Sequence, residues 1–123
     1  SIKTGFTHFA DGDVAVAKIS PCLENRKSIV LRDLPNGIGA GTTELHVFRS
    51  SIVSPEYALY FFKSEYFISR CVGTFNGVVG QQRVGKNIIE EIQIPIPPIN
   101  EQTKIVSTIE TIFTQLNTIT AEL

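Results

Sequence analysis

The stretch that decides the fold runs from Gly73 to Phe113 and reads GTFNGVVGQQRVGKNIIEEIQIPIPPINEQTKIVSTIETIF. It passes from a glycine-spaced polar loop, through a short alternating segment, into a long amphipathic pattern. Residues 92–96 alternate apolar and polar as a strand does, and the prolines at 97–98 end that strand because proline can continue neither a ladder nor a helix. Asn100 then predicts the N-cap of a helix.

The predicted helix carries a seam of apolar residues spaced alternately by four and three. Its members are Ile105, Ile109, Ile112, Leu116, Ile119 and Leu123. This spacing is typical of a helix that meets another helix, whereas a helix packed on its own core shows a wider apolar stripe. We therefore predict a partner helix from elsewhere. A helix folded back on its own domain stays open as the alternative, because the seam lasts only about two and a half heptads.

Composition describes one globular domain. Of 123 residues, 42% are hydrophobic and 19% are charged, which is neither a disordered nor a membrane composition. No apolar run approaches the ~20 residues of a spanning helix, and no leader pattern opens the chain. The chain begins with Ser and contains no Met, so we expect a piece of a longer polypeptide. Cys22 and Cys71 lack paired spacing, which favours free thiols in a cytosolic protein over one disulfide.

The net charge of −1 is unevenly distributed along the chain. Residues 1–59 hold six Lys/Arg and six Asp/Glu, residues 60–89 hold four against one, and residues 90–123 hold one against five. A weakly basic middle beside an acidic helix indicates two faces with different partners.

Local signals place two strands upstream. Residues 14–19 form a short, mostly apolar strand after the turn at residues 11–13, and residues 43–49 alternate as a second strand with His46 on its polar surface. Asp11 and Asp13 invite a metal interpretation, but no further carboxylates converge on them, so we interpret the pair as a turn.

Two short helices are predicted after these strands. Ser54-Pro55-Glu56 combines an N-cap serine, proline at the first helical position and an acid in the first turn. Ser64 caps a second helix that ends at Gly73. The inward-facing residues are expected to be Ala58, Phe61, Phe62, Ile68, Cys71 and Val72. The dense aromatics here are interpreted as core rather than as platforms for stacked bases.

The polar loop before residue 92 is the candidate binding site. Gly80–Asn87 fits G-x-x-x-x-G-K, but Asn87 stands where a phosphate-binding loop has Ser or Thr, and only about one helical turn follows. We interpret this match as coincidence, which leaves a nucleotide-binding enzyme as a remote alternative. Amides and arginine suit base edges, and lysine suits phosphate. The candidate DNA contacts are Gln81, Gln82, Arg83 and Lys86, with Thr74 and Asn76 nearby. An ordinary surface loop is the competing interpretation.

The order of these features resembles the target-recognition domain of type I restriction-modification specificity subunits. The matching stretches are DGDVAVAKIS, GTTELHVFR, SPEYALYFFKSEYF and GTFNGVVGQQRVGKNIIEEIQIPIPPINEQTKIV, with the helix that follows. The most specific is IPIPPINEQ, which is similar to the family's junction between recognition domain and conserved helix. The family's domain normally begins some tens of residues earlier.

The resemblance implies a mixed α/β (α+β) fold and a non-catalytic role. Residues 1–98 would be the C-terminal portion of a recognition domain, a mixed, twisted β-sheet with short helices, and residues 99–123 the start of a coiled-coil-type spacer helix. The domain would read one half of a bipartite double-stranded DNA target. Methyltransferase and restriction subunits are the implied partners in the prokaryotic cytoplasm, with no membrane partner. S-adenosylmethionine, ATP and magnesium are expected on those subunits, and no cofactor on this chain.

Residue by residue, the family's polar loop falls on Gly73–Asn87. The second choice of DNA contacts is Arg26, Lys27, Thr42 and Thr43. The seam matches the family's spacer helix, so its implied partner is the antiparallel helix beside a second recognition domain; by its apolar character alone it would also pair with its own copy. A protein-interaction domain acting through this helix is the second hypothesis.

Overall fold

The computed structural model describes residues 7–41, 44–75 and 82–122. The strands are β1 (Thr7–Ala10), β2 (Val14–Ala17), β3 (Ser28–Val30), β4 (Ile38–Gly41) and β5 (Leu45–Phe48). The α-helices are α1 (Pro55–Phe62), α2 (Glu65–Val72), α3 (Lys86–Glu91) and α4 (Ile99–Glu122), and a 3-10 turn at Pro35–Gly37 precedes β4. None of the described helices is both long enough and apolar enough to cross a membrane.

Strand β2 is the centre of the main sheet. It pairs antiparallel with β3 on one side and β5 on the other. All four of its residues are buried, which agrees with the absence of polar residues from this stretch of sequence. Strands β1 and β4 pair antiparallel as a separate ribbon. The predicted α/β class is confirmed, with the refinement that the described strands form two small antiparallel sheets rather than one mixed sheet.

The ribbon depends on glycine in β4. Phe9 of β1 lies opposite Gly39, and a Cβ atom at Gly39 would lie 2.5 Å from the Phe9 ring. Glycine therefore makes room for the aromatic side chain. Because glycine is depleted in strands generally, periodicity does not reveal β4.

Helices α1 and α2 begin where the sequence predicts. The Ser54 hydroxyl accepts the Tyr57 N–H at 3.1 Å, and the Ser64 hydroxyl accepts the Phe67 N–H at 3.3 Å. The core lies between these helices and β2, and the Phe62 and Phe67 ring centroids are 5.0 Å apart in an edge-to-face pair. The prediction that Val72 faces inward is wrong. It is the last residue of α2, at the rim of the packed face, and it is exposed.

The predicted strand at residues 92–96 is absent from the structure. Its alternation is nevertheless reflected in burial, because Ile92 and Ile94 pack against the core while Gln93 is exposed. Proline has no N–H to donate to a ladder, and no described strand pairs with this segment. The Tyr57 hydroxyl instead donates to the Pro95 carbonyl at 2.8 Å. Alternation therefore marks an extended, packed segment here rather than a strand.

Helix α4 begins at Ile99, one residue before the predicted cap. The Pro98 carbonyl accepts the Glu101 and Gln102 N–H groups at 2.9 and 3.1 Å, so Asn100 lies inside the first turn. The helix has 24 residues and is about 36 Å long. It runs past α1, where the Phe113 ring centroid lies 6.0 Å from that of Tyr60. The alternative that the helix packs on its own domain is therefore correct for its first half.

A buried carboxylate holds the turn before β2. The Asp13 side chain is 2% exposed and accepts Arg49 Nε at 2.7 Å, Arg49 Nη2 at 2.6 Å and the Ala10 N–H at 2.8 Å. Asp11 accepts the Leu34 N–H at 2.9 Å. Hydrogen bonding from Arg49 lowers the pKa of Asp13, although burial opposes the shift. Both aspartates of the DGD turn therefore serve the local fold.

We predict that Asp13→Asn destabilises the domain at neutral pH and makes its stability less dependent on pH in the acid range. A carboxylate with a lowered pKa stabilises the fold above its ordinary pKa of about 3.9, and that contribution is lost as pH falls through its native value. Loss of the charge-assisted bonds should lower the free energy of unfolding at neutral pH by about 1–3 kcal/mol. Urea denaturation across a pH series measures both effects. The control is Asp33→Asn in an exposed turn, and equal stability of the Asp13 variant and the parent at pH 7 would contradict the assignment.

Candidate functional site

The candidate binding loop is tied to the end of β2 by main-chain hydrogen bonds. The Val84 N–H donates to the Lys18 carbonyl at 2.8 Å, and the Ser20 N–H donates to the Gln82 carbonyl at 2.8 Å. Ile19 and Arg83 thus face each other in an antiparallel bridge. Val84 is buried in the core. The backbone that carries Arg83 is therefore fixed on both sides, although it lies outside any regular element.

Arg83 faces a carboxylate that the sequence analysis did not single out. Its Nε lies 2.8 Å from Glu44 Oε2 and its Nη2 lies 2.8 Å from Glu44 Oε1, the two-point geometry of a guanidinium fork on a carboxylate. Hydrogen bonding from Arg83 lowers the pKa of Glu44, and the same contact raises the pKa of Arg83. The pair is partly exposed to solvent. Arg83 is thus presented at the surface in a defined orientation.

The main sheet gathers further cations at the same place. The Ala17 N–H donates to the Lys27 carbonyl, and the Lys18 N–H donates to the Glu44 carbonyl, both at 3.1 Å. Neighbouring strands lie about 4.8 Å apart, so the residues that flank β3, β2 and β5 at the end of β2 are close neighbours. We call this group the basic rim. Its members are Lys18, Lys27, Arg83 and Lys86. Three carboxylates lie near them: Glu44 beside Arg83, Glu90 3.6 Å from Lys86, and Glu24, which accepts the Ser20 hydroxyl at 2.6 Å.

The other predicted DNA contacts divide into several groups. Lys86 begins α3 with an exposed side chain, 3.6 Å from Glu90, and Gln82 lies beside the rim. Arg26 is turned away, since its Nε donates to the Lys63 carbonyl at 2.8 Å and its Nη2 lies 3.0 Å from Glu65. The Thr74 hydroxyl donates to the Cys71 carbonyl at 2.7 Å at the end of α2. Thr42, Thr43, Asn76, Gln81 and the seam residue Leu123 lie outside the described residues.

His46, Cys22 and Cys71 are of residue types that often carry chemistry in proteins. His46 is half-buried rather than on an open surface, with Nε2 2.9 Å from the Val84 carbonyl oxygen, so it braces the loop against β5. Cys22 and Cys71 are free thiols, as predicted. Burial raises the pKa of Cys71 to about 11, which keeps its thiol protonated near neutral pH and unsuited to nucleophilic attack.

The seam of α4 is open to solvent over most of its length. Ile112, Leu116 and Ile119 are 47%, 51% and 56% exposed. Ile105 is also exposed, while Ile109 is half-buried beside a groove lined by Tyr57, Tyr60 and Ile94. Every described residue after Phe113 is exposed, so the distal helix projects from the domain. The seam therefore borders α1 at Ile105 and Ile109, and its fully exposed part begins at Ile112.

Residues 38–123 match the family described as the type I restriction modification DNA specificity domain, and the chain belongs to that family. It is 47% identical over 109 residues to the type I restriction enzyme EcoEI specificity subunit of Escherichia coli, and 48% identical over 107 residues to the EcoAI specificity subunit of the same organism. The matches cover 87% and 85% of this chain but 18% of each relative. The chain thus spans about a fifth of the length of these curated relatives.

Solved structures support the same fold. The HsdS subunit from Thermoanaerobacter tengcongensis aligns with a TM-score of 0.74 at 22% identity, covering 92% of this chain and 29% of that one. A chain from a structure concerned with complex assembly and conformational transition of the type I R-M system aligns with a TM-score of 0.75 at 21% identity, covering 98% of this chain and 31% of that one. At these identities the likeness concerns the fold alone. The resemblance predicted from sequence is confirmed at the level of the family.

Sequence reasoning missed Lys18, Glu44 and Gln102. The first two become neighbours of Arg83 only through strand pairing, since Glu44 lies 39 positions from Arg83. Gln102 is fully buried in the first turn of α4, where the helix pattern suggested a polar face. One signal existed for Gln102, because it precedes Val106 by four and therefore lies on the side of the helix that faces α1.

Proposed function

We propose that this chain belongs to a DNA-recognition domain of a type I restriction-modification specificity subunit and reads one half of a bipartite double-stranded target. Membership of the DNA specificity domain family supports this function. The observation that carries it is the basic rim, in which a fixed backbone presents Arg83 among three lysines at one end of a buried strand. Such an arrangement suits an anionic partner that must bind in one register relative to the protein.

Within the rim, Arg83 is the residue best suited to base readout. Its planar fork matches guanine O6 and N7, and Glu44 already holds the fork in one orientation, so less side-chain entropy is lost on binding. Lys18, Lys27 and Lys86 suit phosphate contacts, which position the protein but carry no sequence information. Because the Glu44 carboxylate repels phosphate, it would disfavour binding modes in which Arg83 contacts the DNA backbone instead of the base edges.

We propose that the chain itself is non-catalytic. The relatives it matches are named specificity subunits, and the rim offers cations and amides rather than an activated nucleophile or base. Methylation and cleavage would then take place on methyltransferase and restriction subunits, which would bring S-adenosylmethionine, ATP and magnesium. Residues 1–98 would carry recognition, and the helix in residues 99–123 would carry assembly.

Arg83→Ala should weaken binding to the cognate half-site by about 1–3 kcal/mol, because a bidentate base contact is lost. Lys27→Ala should weaken binding to all sequences about equally and reduce the salt dependence by about one phosphate contact. Fluorescence anisotropy with a half-site selected from a random duplex library, titrated at several salt concentrations, measures both effects.

The matched control is Arg32→Ala, which also removes an exposed arginine paired with a carboxylate, Glu56. It lies just after β3, beyond Leu31, whose N–H bonds the Asp13 carbonyl at the opposite end of β2. Its DNA affinity should equal that of the parent. Unchanged cognate affinity in Gln81→Ala, Gln82→Ala, Arg83→Ala and Lys86→Ala together would remove this loop from the interface.

We further propose that the seam of α4 binds a second helix of the assembled subunit. The exposed apolar residues at three-four spacing support this role, since three exposed isoleucine or leucine side chains on one helix face are costly without a partner. The second helix would belong to another segment of the full-length polypeptide. In isolation, a second copy of this chain is the competing partner.

Combined Ile112→Gln and Leu116→Gln substitution should abolish capture of the methyltransferase subunit, because it disrupts the helix packing on which the subunit would assemble. Half-site DNA affinity should stay at the parental value, since neither residue belongs to the basic rim. Pull-down of the co-expressed subunit, with sedimentation of the isolated chain, measures assembly and self-pairing. Thr118→Gln on an exposed, non-seam position is the control. Undiminished capture by the double variant would refute the seam as the interface.

A further inference from the structure

Gln102 is a buried polar residue in a helix that is otherwise largely exposed. It lies in the first turn of α4 and its side chain is fully buried. Glutamine is rarely found in such a position unless its amide is fully bonded. Here the carbonyl oxygen Oε1 accepts the Ser54 N–H at 2.7 Å, and Nε2 donates to the Ile52 and Pro97 carbonyls at 2.9 Å each.

These three bonds join separate parts of the domain. Ile52 lies in the loop before α1, Ser54 is the N-cap of α1, and Pro97 belongs to the segment that leads into α4. Both donors of the amide and its acceptor therefore have partners in fixed backbone. The Ser54 backbone is itself held by the Ala58 N–H, which donates to the Ser54 carbonyl at 3.0 Å. One side chain thus links the start of α1 to the start of α4.

The remaining contact between α4 and the domain is largely apolar, although Glu110 of α4 also hydrogen-bonds the Tyr60 side chain farther along the helix. Phe113 meets Tyr60 at a tilted 41° between rings, and Val106 borders the same groove. Apolar contacts are non-directional, whereas three hydrogen bonds to one planar amide specify both position and rotation. The Gln102 amide is therefore the directional element at the base of the helix.

We propose that Gln102 is a positioning residue that sets the angle at which α4 leaves the domain. On the proposed function, this angle fixes where the seam lies relative to the basic rim, and so couples DNA reading to subunit assembly. Thr118 lies sixteen residues beyond Gln102, about 24 Å along the helix, so a change of about 10° in the exit angle moves it by about 4 Å. If the start of α4 were not held in one orientation, the distance between the seam and the basic rim would vary.

The test measures the angle directly in the full-length polypeptide, without DNA. Spin labels at Ser69→Cys on α2 and Thr118→Cys on distal α4, in a Cys22→Ser background, report their separation by double electron–electron resonance. Cys71 stays in place because burial raises the pKa of its thiol to about 11 and shields it from labelling. The variants are Gln102→Ala and Gln102→Met, the second of which keeps the side-chain volume while removing all three bonds. Gln115→Ala, an exposed glutamine on the same helix, is the matched control.

We expect a single narrow distance distribution in the parent and in Gln115→Ala, and a broadened or displaced distribution, by several ångströms, in both Gln102 variants with native circular dichroism. A parental distribution in Gln102→Met would overturn the inference. Unfolding of both Gln102 variants would overturn it equally, since the amide would then be a folding element rather than a positioning residue. Half-site DNA binding, measured separately on the same proteins, tests the proposed function, so the two can fail independently.

Discussion

The candidate interface depends on the pair of main-chain hydrogen bonds that join residues 82–84 to residues 18–20. Without them, a loop of amides and cations would be a solvated surface segment with no fixed direction. With them, Val84 is buried, His46 braces the loop from β5, and Arg83 meets Glu44 in a two-point contact. Main-chain hydrogen bonds between distant parts of the sequence thus give a polar loop a fixed shape and position.

The two ends of β2 have different tasks. At its start, the buried Asp13 carboxylate and Arg49 hold the turn that leads into the sheet. At its end, the basic rim gathers four cations, two of which pair with carboxylates: Arg83 with Glu44 and Lys86 with Glu90. Because every residue of β2 is buried, the strand is a rigid support between these groups. The core behind β2 also carries α1, whose N-cap residue Ser54 donates its N–H to Gln102 Oε1. Helix α4 is therefore joined to the same core that supports the rim.

The sequence predicted those elements whose cause is local. Serine caps, proline at a first helical turn and three-four apolar spacing gave α1, α2 and the long helix correctly, because these signals lie within a few residues. Alternation misplaced a strand at residues 92–96, since pairing requires a neighbour and proline withholds its donors. The Arg83–Glu44 and Asp13–Arg49 pairs join residues 36 to 39 positions apart, so no local pattern contains them. The family, in contrast, was recognisable from the order of local features.

The most direct test of the central claim places a photoreactive residue in the full-length polypeptide and asks which positions touch DNA. Substitution of Gln82 or Lys86 by a diazirine-bearing residue should yield crosslinks to the selected half-site duplex, whereas the same residue at Arg32, beyond the other end of β2, should yield none. Equal crosslinking at all three positions, or crosslinking at position 32 alone, would contradict the assignment of the basic rim as the DNA-reading surface.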